Sequence, residues 1–469
     1  MPVSTDRVPK NYLSQLQHWL VAPVSAAPLA TFRIIFGALM LVSTVRFMAL
    51  GWIEDHFVQP SFHFKYFGFA WVEVLPPFWM YALHALMIVF SIGIMLGLYY
   101  RIAAVGFFLC FTYTELIDVT YYLNHYYFVS LVSFLLILVP ANAYFSLDAR
   151  RNGQLQRSQV PRWTIAIFQF QLTLVYLYAG LAKINDDWLI KALPLKIWLP
   201  ANDKVWIIGE LFRYPETAYV FSWAGMLYDT LVPFFLMWRK TRVWAYAAVI
   251  GFHSMTGILF QIGVFPVVMI FSTLIFFSSE FHEKMIGWMK KILKQMGMLI
   301  KSPSSTHATA SSVFGHRKSL LYSFLVVYVS FQLLFPWRYV LYPGNLFWTE
   351  EGYRFSWRVM LMEKAGTATF YVKDRKSGRE GIAINSEFLN RHQEKQMAFQ
   401  PDMMLQFAHF LHEHYEAEGL HDPIVRVESY VTLNARPSQL IIDPDKNLAK
   451  VSDSWAHKEW IVDWKEGSD

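Results

Sequence analysis

Charge is what this sequence has least of. Only 16% of its 469 residues are Asp, Glu, Lys or Arg, where soluble domains carry about 25%. Apolar residues make up 55% and the mean hydropathy is +0.29, which excludes a wholly soluble globular chain. Cysteine is nearly absent too. Cys110 is the single one and lies in an apolar stretch, so an intrachain disulfide, a CxxC redox pair and a cysteine-ligated zinc are excluded. No Walker loop, strand-linked GxGxxG, HExxH or GxSxG occurs, and the histidines do not recur at metal-ligand spacing. Neither a soluble nucleotide cofactor nor a metal is expected. The net charge of +6 is spread over short basic clusters between apolar runs. No continuous surface for nucleic acid results.

What is present divides in two. Residues 1–335 hold 25 Lys/Arg and 15 Asp/Glu, whereas residues 336–469 hold 16 and 20. A long apolar body thus precedes a tail of soluble composition. Runs able to cross a bilayer, which takes about 20 residues, stand at 25–49, 75–100, 102–118, 124–144, 163–182, 218–238 and 319–335. The uncharged stretch 243–279 is too long for one helix and is read as two. The expected fold is an all-α membrane bundle of about nine transmembrane helices with a C-terminal extracytoplasmic α+β or β-rich domain.

Basic residues favour the cytoplasmic side. The clusters Arg150–Arg162, Arg239–Arg242 and Lys284–Lys318 fall on one side if the N-terminus is inside. The expected organisation is then a cytoplasmic segment at 1–24, a body of about eight spans at 25–280, a cytoplasmic linker at 281–318, a last span at 319–335 and the outer domain at 336–469. Within the linker, KSPSSTHATASS at 301–312 reads as flexible. In the outer domain 367–372 and 381–385 read as a hairpin, 403–415 as a helix and 425–434 as a strand.

Ionisable groups inside spans cost roughly 2.5–3.5 kcal/mol each on insertion scales and are default site candidates. They are Arg33, Glu115, Asp118, His125, Lys183, Asp229 and His253. On the expected topology Asp118, Asn124, His125 and Lys183 share the outer leaflet. Lys183 reads either as a lysine extending its ammonium to the headgroups or as a desolvated amine able to accept a proton. His125 is a packed histidine or, beside Asn124, a site residue. His253 has the option of a hydrogen bond across helices. Arg33 is open as a counter-ion for Asp229 or Asp118 or as a phosphate-binding residue at the inner face, and Asp229 as part of a structural pair.

Several stretches resemble the vitamin K-dependent gamma-glutamyl carboxylases: TFRIIFG at 31–37, MLGLYYRI at 95–102, LIDVTYYLNHYYF at 116–128, VYLYAGLAKINDDW at 175–188, FHSMTGILFQIGVF at 252–265, YRFSW at 353–357 and RPSQLIIDP at 436–444. The resemblance implies a peptidyl-glutamate carboxylase that oxygenates vitamin K hydroquinone (phylloquinol or menaquinol) to its epoxide with O2. That step would drive capture of CO2 by a glutamate of a polypeptide substrate. It implies Lys183 as the catalytic lysine and the Asn124–His125 pair beside the quinone. Trp357 and Met360 would belong to the stretch lining the quinone and glutamate cavity; Asp118 and His253 complete the expected cofactor-binding set. The implied location is a multi-pass protein of the plasma or inner membrane, or of the endoplasmic reticulum, in contact with lipid. An uncoupled quinol epoxidase and a non-catalytic receptor for quinone or lipid remain alternatives.

Overall fold

The computed structural model describes residues 11–206, 208–260, 262–296 and 318–466; the expected flexible stretch 301–312 lies outside them. After α1 (Tyr12–Val21), the body is built from α2 (Ala27–Ala49), α3 (Pro77–Leu96), α4 (Tyr100–Ile117), α5 (Asn124–Leu138), α6 (Trp163–Ala182), α7 (Pro215–Met237), α8 (Arg242–Leu259), α9 (Phe265–Ser272), α10 (Ser279–Gln295) and α11 (Lys318–Leu334). Helix boundaries follow the local chemistry. Prolines stand at the start of α3 and α7, where the missing N–H costs nothing. Gly97 ends α3 in a left-handed conformation at φ +62°, the usual glycine stop.

Among the described residues, six helices are long and apolar enough to cross a membrane: α2, α3, α4, α6, α7 and the stretch Ser319–Leu341. A seventh is added if the bent pair formed by Phe265–Phe276 and Ser279–Gln295 counts as one span. Against the nine expected, the difference lies in short elements. The 15-residue α5 rises only about 22 Å at 1.5 Å per residue, short of a hydrocarbon core about 30 Å thick. The 8-residue α9 is shorter still, while the 18-residue α8 is as long as α4 but too polar to count among the crossing helices. The protein is thus a multi-pass membrane protein with six candidate spans among the described residues.

α2 packs on α3, α3 on α4 and α4 on α5, while α6 packs chiefly on α7. Phe36, Phe107, Phe168, Trp163 and Leu172 fill the shared core. Arg33 sits within it, fully buried. It pairs with neither acid considered as its counter-ion: its guanidinium donates to the carbonyls of Ile94, Met95, Ala141 and Phe145 at 2.7–3.0 Å. The charge is spent closing the C-terminal end of α3 and the turn after α5, carbonyls that a helix end leaves without partners.

The C-terminal region forms an antiparallel sheet from β1 (Lys364–Lys373), β2 (Glu380–Ile382), β3 (Ile424–Leu433) and β4 (Gln439–Leu440), in the order β2-β1-β3-β4. The expected hairpin, strand and helix are present here, the helix as α12 (Pro401–Ala417). Along β3, Val425, Val427, Val431 and Leu433 are buried at every second position or multiple of it, as a half-covered strand requires. They meet Met404, Phe407 and Leu411 of α12. Phe64, Tyr66 and Val119, from loops of the helical body, complete the same core. The cap therefore folds onto the bundle.

Candidate active site

The site begins with a glycine. Gly180 lies in the last turn of α6, where a Cβ would stand 2.6 Å from the Thr230 backbone nitrogen. Only the missing side chain lets α6 approach α7 so closely. The approach brings Lys183, the C-cap of α6, beside Asp229 of α7. Lys183 Nζ donates to Asp229 Oδ2 at 2.8 Å and to the Ala179 carbonyl at 3.2 Å. It also lies 5.3 Å from the Trp188 ring centroid. Both residues are only 5% exposed, so this is a buried ion-pair contact rather than an ammonium extended to the headgroups.

Trp188 is fixed by a second local device. Asn185 caps the short helix Asp186–Leu189 by accepting from the Trp188 backbone N–H at 2.9 Å, and the indole N–H donates to the Ser222 carbonyl at 2.9 Å. The two aspartates that follow Lys183 in sequence do not pair with its amine. Asp187 instead receives both Arg436 and Asn434 of the cap. Burial alone would raise this carboxyl, but the hydrogen bonds from Arg436 and Asn434 outweigh it and hold the pKa below the ordinary value.

Lys183, Asp229 and His253 line a cavity of about 390 Å³, within the range of small-molecule sites. Its walls are almost wholly apolar or aromatic, with Tyr228 stacked on Phe252 at 4.0 Å. His253 Nε2 is 3.0 Å from the Tyr176 hydroxyl, while His253 Nδ1 is buried with no hydrogen-bond partner among the described residues. Such an orphan is costly unless a ligand or water serves it. Val359 and Met360 line the cavity from the cap side.

The segment carrying Met360 is strained. Phe355, Trp357 and Met360 have φ of +60°, +59° and +52°, a left-handed region costing non-glycine residues roughly 1–2 kcal/mol each. Strain of this kind gathers at functional sites. Asn124 Nδ2 donates to the Arg358 carbonyl at 3.0 Å and the Tyr122 hydroxyl takes the Phe355 N–H at 2.8 Å, so the 122–124 turn holds the segment in place. Trp357 is fully buried, stacked on Tyr127 at 4.9 Å.

The structure thus brings Lys183, His253 and Met360 to one cavity. Asn124 and Trp357 support its wall from behind. His125 is buried with its ring centroid 5.5 Å from that of Phe265, and Phe265 lines the cavity. Asp118 is elsewhere. Its carboxylate accepts from Thr120 and, at 2.7 Å, from Gln393 of the cap. It belongs to the seam between bundle and cap. Tyr176, Trp188 and Tyr228 are cavity residues not singled out from the sequence. Tyr176 stands seven residues before Lys183, two turns away on one helix face, and that spacing was the available signal. Among the described residues no three His, Cys, Asp or Glu side chains form a metal-holding group.

Residues 21–281 match the family described as the HTTM domain. Residues 317–467 match the lumenal domain of vitamin K-dependent gamma-carboxylase. No solved structure matches the chain. With the membrane body and the cap each matched, and in that order, the protein belongs to the vitamin K-dependent gamma-carboxylase family.

Proposed function

We propose that this protein is a membrane-bound vitamin K-dependent gamma-glutamyl carboxylase, acting on a reduced vitamin K quinol, O2, CO2 and a glutamate-containing polypeptide. The observation that carries the reading is the Lys183–Asp229 contact on the wall of an apolar cavity. A γ-proton of glutamate is too weakly acidic for any side-chain base. Oxygenation of the reduced quinol on the way to the epoxide would supply the strong base and the energy. The protein's own task is to hold the ring, remove a proton from it and keep water away.

The residues present suit a flat aromatic ring bearing polar oxygens. Trp188, Tyr228 and Phe252 offer aromatic faces, and polar groups stand at two places, the Lys183–Asp229 pair and the His253–Tyr176 pair. Lys183 Nζ is placed to take the ring proton, with Asp229 Oδ2 2.8 Å away to hold the amine in position. His253, through its unpartnered Nδ1, orients the ring. Asn124, His125 and Trp357 hold the Phe355–Met360 wall and the Phe265 side chain in position, and Met360 and Val359 exclude water from the cap side.

The cap is assigned to the extracytoplasmic side. The segments carrying Arg150–Arg162 and Lys284–Lys294 contact one another's neighbourhood at the end of the bundle away from Lys183: the Arg162 backbone N–H donates to the Ala22 carbonyl and the Ser25 hydroxyl donates to the Glu283 carboxylate. Basic residues gathered at one end favour that end as cytoplasmic.

Purified protein given reduced vitamin K, O2, labelled bicarbonate and a glutamyl peptide tests the reading. Epoxide formation and label in the peptide, both lost in Lys183→Ala, are expected. Epoxide without label would mean an uncoupled epoxidase. Quinol binding with no turnover would mean a receptor.

A further inference from the structure

The stretch after the last apolar turn of the body was expected to be linker, yet it begins with a helix of definite character. α10 departs from Phe265–Phe276 at 116° and runs across the end of the bundle opposite Lys183. It is tied there by two buried contacts and one exposed hydrogen bond. His282 Nδ1 lies 2.6 Å from the Thr31 hydroxyl, Ser25 donates to Glu283 at 2.9 Å, and Ile286 packs on Ala27 and Ala30.

At about 100° per residue, the helix has three sides. His282, Ile286, Met289 and Leu293 form the seam turned to the bundle. Next to it Phe281, Met285, Trp288 and Ile292 fall in one apolar arc, on which Trp288 is 66% exposed. Lys284 and Lys291 flank that arc and Lys294 lies beyond them; all three are exposed. Lys290 is different, since its ammonium lies 5.6 Å from the Tyr144 ring centroid, against the body. In water an uncovered apolar arc beside a row of cations has no reason to exist. A helix lying in a bilayer interface requires both, the arc in the acyl boundary and the lysines at the headgroups.

We propose that α10 is an in-plane surface helix that docks on the leaflet through Phe281, Met285, Trp288 and Ile292 and binds anionic phospholipid headgroups through Lys284, Lys291 and Lys294. Charge complementarity selects the occupant: three exposed lysines that make no ion-pair contact among the described residues, with Lys284 opposed only by the charge of exposed Glu280 one turn before it, meet a negatively charged lipid surface, and each lysine so placed is worth about fivefold in affinity. The proposal is independent of the catalytic reading.

The full chain is reconstituted in vesicles of phosphatidylcholine with or without phosphatidylglycerol. In a Cys110→Ala background, Trp288→Cys carries a nitroxide whose access to O2 and to an aqueous nickel chelate reports depth. Separately, native mass spectrometry of the otherwise unaltered chain counts retained phosphatidylglycerol, with and without Lys284→Gln, Lys291→Gln and Lys294→Gln together. The expected results are a label shielded from nickel, and retention that falls by on the order of tenfold or more in the triple variant while quinol oxygenation persists. A label open to nickel in phosphatidylglycerol vesicles, or equal retention by both proteins, overturns the proposal.

Discussion

Removing Lys183 while keeping Asp229, and then removing both, separates the two roles of their contact. The pair is 2.8 Å apart and each side chain is under a tenth exposed, so a lone survivor is a buried charge without a partner. Breaking such a pair from one side costs about 3–5 kcal/mol, whereas replacing both members by apolar residues is often neutral. Lys183→Met should therefore lower the thermal midpoint in detergent markedly, and Lys183→Met with Asp229→Leu should recover most of the loss. Catalysis should not follow stability. Both variants lack the proton acceptor, and a general base contributes about 10²–10⁴ in rate, so epoxide formation should stay down by that factor in the recovered double variant. The assay is a double-mutant cycle on thermal unfolding, run beside epoxide production from reduced vitamin K. A single variant as stable as wild type would mean the contact is not a buried charge pair. A double variant that still oxygenates quinol would remove the pair from the chemistry.

Other outcomes follow from the same geometry. Gly180→Ala places a methyl 2.3 Å from the Thr230 hydroxyl; overpacking of this kind costs about 1–3 kcal/mol, and both the thermal midpoint and epoxide formation should fall. Asp187 has its pKa held below the ordinary 3.8, so it contributes stability that is present above that value and lost as pH falls through the folded pKa. Cap–bundle cohesion, read by limited proteolysis, should weaken below about pH 4 in wild type, and Asp187→Asn should show the weakness at neutral pH already. Tyr176→Phe and His253→Phe each remove one side of a 3.0 Å contact and should weaken binding of a quinone analogue up to about tenfold, with His253→Phe the more severe. Unchanged dissociation constants would return both residues to helix packing.

The division into body and cap was legible because charge density changes along the chain, and nothing in folding alters that. The hairpin, strand and helix of the cap were legible from their period-2 and period-3.6 patterns. The number of crossing helices was not. Hydropathy measures how apolar a run is, while Gly and Pro near 257–266 and the break after 138 decide how much of it stays helical. Lys183 stood out as an ionisable group near a span's end, but nothing along the chain names its partner. The partner is 46 residues away, and Asp187 is taken by Arg436. Arg33 was given acidic counter-ions by charge matching, and found backbone carbonyls instead, because loose helix ends inside a bundle are strong acceptors.

What the amino-acid order determines alone is composition, periodicity and the family motifs, since these depend on nearest neighbours along the chain. Which side chains share a cavity depends on how closely helices approach, and here that distance hangs on Gly180 against Thr230. The same is true of the Phe355–Met360 wall, whose left-handed residues are tolerated only because Asn124 and Tyr122, over two hundred residues earlier, hold its backbone. Contacts of such range are properties of the packed molecule, because the low dielectric and the orientation that give an amine–carboxylate pair its chemistry exist only once the surrounding helices have closed around it.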